Sequence, residues 1–183
     1  VLDALRRIKV PILRWPGGCF ASTYHWQKGV GQPRAPVFDK AWRVEDSNRF
    51  GTDEFIRLCR KLGCATYLCT NAGTGTIEEM SDWVEYCNLP AQGEFARMRA
   101  ANGSPEPHAV PYWSIGNETY GSWELGAKTP EEWGRLALEA ARQPYQLTLT
   151  NAGATARTAV VTADLPAGVT VAAVASPAEV QVV

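Results

Sequence analysis

The 183-residue chain has almost no charge imbalance: 18 basic and 19 acidic side chains leave a formal charge of -1. That balance removes the electrostatic case for binding nucleic acid or an anionic membrane surface. No apolar run approaches the roughly 20 residues needed to span a bilayer. The opening stretch, VLDALRRIKV, has neither a signal-peptide layout nor an initiator Met. Histidine is scarce as well. His25 and His108 lie far apart, and neither has a second ligand at metal spacing, so both read as structural and no metal site is expected. The five cysteines, Cys19, Cys59, Cys64, Cys69 and Cys87, are odd in number and contain no C-x-x-C pair. They are read as reduced, mostly buried thiols rather than a disulfide framework or a zinc site.

What is present is ordinary globular composition, 45% hydrophobic and 20% charged, enough for one medium domain or two small ones. The pattern divides at Pro144. All seven tryptophans and all five cysteines precede it. After it, Arg157, Asp164 and Glu179 are the charged residues and Tyr145 the aromatic one. YQLTLTNAG and RTAVVTADLPAGVTV alternate apolar and polar with period two and are broken by turn residues, which predicts antiparallel strands.

Before Pro144 strand and helix signals alternate. PILRW (11–15) reads as a strand entering Pro16-Gly17-Gly18. Residues 53–62 read as a helix capped by Thr52, with Asp53 and Glu54 at its positive end and Gly63 as its stop. ATYLCT (65–70) is a second strand leading to Asn71. Thr76 and Glu79 have capping-box spacing for a helix to about Asn88. PYWSIG (111–116) is a third strand, and Thr129-Pro130-x-Glu132 opens a helix to about Arg142.

Three strand-then-helix units predict parallel strands joined by crossover helices, with a site at the carboxyl edge of the sheet. Gly17-Gly18-Cys19, Asn71 and Asn117-Glu118 all fall at that edge. Glu118 therefore stands where catalytic groups are placed, against the simpler reading of a solvated loop acid. Asn71-Ala-Gly-Thr-Gly-Thr lacks the full glycine fingerprint and a P-loop lysine, so its glycines read as a tight turn and no nucleotide cofactor is expected. Glu78, Glu79, Asp82 and Glu85 read as a solvated helical face. Trp15, Trp26 and Trp42 suit a core and a sugar-stacking cleft equally.

Taken in order, ILRWPGGCFASTYHWQKGVG (12–31), AW (41–42), FGTDEF (50–55), WVEYCN (83–88) and YWSIGNETYGSWELGAKTPEEWG (112–134) resemble the glycoside hydrolases of family 51. The resemblance covers about Leu2 to Arg142. It implies a retaining α-L-arabinofuranosidase with a (β/α)8 barrel, of which residues 1–143 would be a partial catalytic domain of about three βα units. Residues 144–183 resemble part of a β-sandwich repeat of bacterial surface proteins, on TNAG (150–153) and DLPAGV (164–169). The fold class expected is thus α/β, a partial TIM-type barrel followed by a partial all-β sandwich segment.

By the same resemblance Glu118 matches the general acid/base, and Asn117 the residue that hydrogen-bonds the sugar 2-hydroxyl. Arg14 matches a support of the catalytic carboxylates, Cys19 a substrate-contacting position, and Trp42 the wall of the arabinose pocket. Ser22 departs from the Asp frequent in similar relatives. The family's nucleophile, a Glu on a later strand, has no match in residues 1–183. The expected partner is an arabinofuranosyl-containing glycan, with oligomerisation and localisation left open. The alternative is a non-catalytic carbohydrate-binding or cell-surface module.

Overall fold

The computed structural model describes residues 2–143, 149–150 and 171–172. Helix α1 (Leu2–Ile8) leads into strand β1 (Ile12–Trp15), and a short hairpin, β2 (Val37–Asp39) and β3 (Val44–Asp46), follows. Then come α2 (Thr52–Leu62), β4 (Ala65–Thr70), α3 (Ile77–Asn88), α4 (Glu94–Ala101), β5 (Tyr112–Ile115) and α5 (Pro130–Ala141). The expected strand and helix alternation is therefore present, and its strands pair as predicted. β1, β4 and β5 form a parallel sheet in that order, with Trp15 beside Leu68 and Leu68 beside Trp113. Parallel pairing needs a crossover between neighbours, which α2 and then α3 with α4 supply.

Local chemistry explains most of the boundaries. At the end of α2, Gly63 adopts φ 69, a left-handed conformation that a side chain resists. Its N–H bonds the Arg60 carbonyl while the Cys64 N–H bonds that of Cys59, closing the helix by a Schellman motif. At the start of α5, Thr129 Oγ1 accepts from Glu132 N and the Glu132 carboxylate accepts from Thr129 N, so the predicted capping box is complete.

Two expected caps differ. Thr52 does not cap α2, because its hydroxyl accepts from the Trp83 indole at 3.0 Å; the Glu54 carboxylate instead accepts from Gly51 N. Thr76 caps α3 through Glu79 N, but the Glu79 carboxylate accepts from His25 Nδ1 at 3.0 Å rather than closing a box. The supposed solvated face of α3 is likewise corrected. Glu85 is buried, and its Oε1 accepts from the Phe95 and Ala96 N–H groups at the start of α4. A helix lacking its own capping side chain is thus capped by its neighbour, which offsets the cost of a buried carboxylate.

The core lies between the sheet and helices α2, α3 and α5. Trp26, Trp83 and Trp113 are fully buried there, with Trp26 stacked on Trp83 and Trp113 edge-on to Trp83 at 5.7 Å. Each buried indole N–H has an acceptor: the Glu79 carbonyl, the Thr52 hydroxyl and the Val110 carbonyl respectively. Trp26 is therefore a core residue, Trp15 packs half-buried against the same cluster, and Trp42 is 63% exposed.

Residues 149–150 and 171–172 pair in parallel, Leu149 beside Val171. This pair is parallel where antiparallel strands were expected. The rest of the expected sandwich lies outside the described residues. No helix among the described residues is long and apolar enough to cross a membrane.

Candidate active site

Because β1, β4 and β5 are parallel, their carboxyl ends share one edge, and the loops leaving them meet there. The loop after β1 passes a cis Trp15–Pro16 peptide and a 3-10 turn, Gly18–Ser22, that carries Cys19. The loop after β4 is drawn tight by Asn71, whose Oδ1 accepts from Gly73 N and Thr74 N and whose Nδ2 donates to the Tyr24 carbonyl. Asn71 and its glycines thus build a turn, as the sequence suggested.

The loop after β5 begins at Gly116. With φ 78 and only 2.6 Å between an added Cβ and Ala72 Cβ, the position admits no side chain. Asn117 follows, buried, and then Glu118, exposed and held at φ 43. A left-handed conformation at a non-glycine residue is uncommon and concentrates at functional positions. The loop beyond is fastened by Gly121 N to the Glu118 carbonyl and by Lys128 N to the Thr119 carbonyl.

Three of the sequence-derived residues come together. Arg14 Nη1 donates to Asn117 Oδ1 at 3.1 Å, joining the ends of β1 and β5 across β4. Asn117 Nδ2 donates in turn to Glu124 Oε1 at 3.0 Å. Glu124 Oε2 accepts from Ser22 Oγ at 2.7 Å, so Ser22 is engaged at the same place. Hydrogen bonding to Glu124, with burial and the charges of Glu124 and Glu118 added, pushes the Cys19 thiol above its ordinary range. Trp42 is placed differently, on the β2–β3 turn. Asp39 Oδ1 accepts from Ala41 N, Trp42 N and Thr23 Oγ1, fixing that turn to the loop after β1 and leaving the Trp42 ring open to solvent. Two further exposed aromatics, Tyr120 and Trp123, meet edge to face in the loop beyond Glu118.

Glu124 is the residue sequence reasoning missed. Its neighbours Trp123 and Leu125 are both exposed, and nothing local marks it as buried. Among the described residues no group of three or more His, Cys, Asp or Glu could hold a metal ion.

The profile of the alpha-L-arabinofuranosidase 1 domain matches residues 4–165. The chain belongs to the α-L-arabinofuranosidase family. It is 45% identical over 146 residues to alpha-L-arabinofuranosidase C of Emericella nidulans, covering 78% of this chain and 29% of that protein. It is 39% identical over 144 residues to the intracellular exo-alpha-(1->5)-L-arabinofuranosidase of Acetivibrio thermocellus, again covering 78% and 29%. The fold is similar to that of the Thermotoga maritima α-L-arabinofuranosidase solved as an arabinose complex, with TM-score 0.76, 45% identity and 82% and 33% of the two chains covered. It is also similar to the family 51 enzyme AbfB of Bifidobacterium longum, with TM-score 0.74, 32% identity, and 85% and 33% covered. The chain thus spans under a third of the length of these curated relatives.

Proposed function

We propose that this chain is the acid/base-bearing part of a retaining α-L-arabinofuranosidase that releases terminal arabinofuranose from arabinose-containing glycans. In this reading residues 1–143 form about three βα units of a (β/α)8 barrel, and residues 144–183 a separate β-sandwich segment. One observation carries it. An exposed carboxylate, Glu118, stands at the carboxyl edge of a parallel sheet, beside a buried asparagine held in one orientation by an arginine and a second carboxylate.

A retaining glycosidase needs two carboxyl groups about 5–5.5 Å apart across the scissile bond. Glu118 takes the acid/base role: protonated, it donates to the leaving oxygen, and afterwards it accepts the proton of the attacking water. Asn117 addresses the sugar 2-hydroxyl, Arg14 and Cys19 line the same floor, and Trp42 offers a flat face to the ring. The nucleophile is assigned to a part of the protein outside residues 1–183, so residues 1–183 alone are expected to bind arabinoside without turning it over.

The test is release of nitrophenol from an aryl α-L-arabinofuranoside, with Glu118→Gln alongside. Where the second carboxylate is supplied, the amide variant should lose about 10²- to 10⁴-fold on an unactivated arabinoside, because it has no proton to give. Turnover of that substrate at the parent rate by Glu118→Gln would remove the assignment. A sugar-binding module without catalysis is the second reading, favoured by the exposed Trp42, Tyr120 and Trp123 rings. Binding that persists beside a complete barrel, with no hydrolysis, would select it.

A further inference from the structure

Cys64 lies five residues from Cys59 and five from Cys69, so sequence spacing favours neither as its partner. The fold separates them. The Schellman motif that ends α2 turns the chain back at Gly63, and the Cys64 N–H bonds the Cys59 carbonyl at 3.2 Å. Cys64 Sγ donates to the same carbonyl at 3.8 Å. Standard bond lengths then hold the two Cα atoms within about 7 Å. A disulfide needs about 4.4–6.8 Å between them, and the side chains flanking such a turn characteristically pack together. Cys69 is out of range. It stands four extended steps beyond Ala65 in β4, roughly 13 Å of strand, and its Sγ donates to the Gly116 carbonyl at 3.3 Å.

The two thiols also differ in access, which sets an order. Cys59 is fully buried in the core cluster, whereas Cys64 is only partly buried beside it. Burial pushes the Cys59 thiol up to about 12, with the neighbouring Cys64 adding to it. Cys59 therefore stays protonated and sheltered, and Cys64 is the sulfur that a reagent meets first. Both stand at the amino edge of the sheet, where α2 hands over to β4, opposite to the edge that carries Glu118.

We propose that Cys59 and Cys64 form a thiol pair that a low-molecular-weight disulfide oxidises reversibly, stapling the last turn of α2 to the entrance of β4. The Cys64 sulfur gives up its proton and attacks one sulfur of the reagent, forming a mixed disulfide and releasing half of the reagent as a thiolate. The Cys59 sulfur, losing its proton in turn, attacks the Cys64 sulfur and displaces the second half. Each departing thiolate takes up one of the protons released. Two protein thiols are thus oxidised to one disulfide, and one reagent disulfide is reduced to two thiols. All five cysteines are free in the structure, which is the state before this exchange. The site is independent of the arabinofuranosidase reading.

The test treats the folded 183-residue chain with oxidised glutathione, blocks the remaining thiols and maps the peptides by mass spectrometry. Trypsin cuts after Arg60 and Lys61, so a Cys59–Cys64 link joins two peptides while a Cys64–Cys69 link stays within one. Fragmentation of the joined pair identifies Cys64 as the bridged residue. In the folded chain Cys59–Cys64 links should exceed Cys64–Cys69 links by more than about tenfold. In urea the ratio should fall to about one, because loops of equal length close at equal entropic cost. Cys59→Ser should stop at a glutathione adduct on Cys64, and dithiothreitol should return the parent to free thiols. Three results would each overturn the proposal: a folded-chain ratio no higher than that in urea, a parent that keeps glutathione on Cys64 with Cys59 free, or a Cys64 that does not react. Mapping of the parent decides the matter even where Cys59→Ser does not fold.

Discussion

Asp53→Asn is the perturbation whose size the structure constrains best. The Asp53 carboxylate is buried on the first turn of α2. It accepts from the Tyr86 hydroxyl at 2.9 Å and from His108 Nε2 at 3.0 Å. Burial works to push this carboxyl up, but hydrogen bonds from His108 and Tyr86, with His108 and Arg57 charge nearby, outweigh it and hold the group below the usual Asp range. Asparagine keeps the shape and offers one acceptor where two donors converge. The Tyr86 oxygen already accepts from Asn102 Nδ2 at 3.2 Å, so turning the new amide towards it leaves the Tyr86 proton without an acceptor. A hydrogen bond to a charged group contributes about 1.5–3 kcal/mol, and an acid near a helix start adds about 0.3–1 kcal/mol. Together they set the loss at roughly 2–4 kcal/mol, or about 1–2 M in urea midpoint for a chain of this size.

The pH dependence separates this cause from general disruption. A carboxyl depressed in the folded state stabilises above its unfolded value, near 3.9. It loses that contribution as pH falls through its folded value. The gap between parent and Asp53→Asn should therefore be full at neutral pH and close progressively below about pH 4. Urea titrations at several pH values measure it. A midpoint shift under about 0.3 M at neutral pH, or a gap that does not change in acid, would refute the reasoning.

Two other outcomes follow from the core and from α3. Asp82 is pushed up to about 6 by burial, with the charges of Glu85, Glu94, Glu78 and Glu79 adding to it. The folded chain then binds more protons than the unfolded one between about pH 4 and that value, so rising pH costs stability there. Asp82→Asn should raise the urea midpoint at neutral pH and lose that advantage below about pH 4; a lowered midpoint at neutral pH would contradict this. Trp83→Ala empties a site ringed by Trp15, Tyr24, Trp26 and Trp113, and should cost about 3–5 kcal/mol by chemical denaturation. A loss below about 1.5 kcal/mol would mean the cluster collapses to fill the gap.

The strand and helix alternation was legible because its boundaries are chemical and local. Gly63 needs no partner to stop α2, and Thr129 with Glu132 caps α5 within four residues. The parts that were not legible depend on distant partners. Helix α4 has no cap of its own, because Glu85 in α3 supplies it, and its face is interrupted by the buried Arg99, which donates to the Tyr86 and Ser104 carbonyls. The β2–β3 strands are too short to show alternation. At the site, Glu118 and Asn117 could be read from the strand that ends beside them, together with the family pattern. Glu124 could not, since one of its two partners, Ser22, is 102 positions away.

That separation bears on how the edge of the sheet is put together. Arg14 with Asn117 and Ser22 with Glu124 bridge sequence distances of 103 and 102, and so close nearly the same loop. The entropy of closing a long loop grows only with the logarithm of its length and is lost once. Whichever link forms first carries most of that loss for the other, and the two should form and break as a unit. The Arg14–Asn117 bond cannot form unless β1, β4 and β5 are in register, because a slip of one residue would turn Arg14 to the opposite face of the sheet. The polar chain across the strand ends therefore acts as a proofreader of strand alignment, completed only when the chain has chosen the correct pairing.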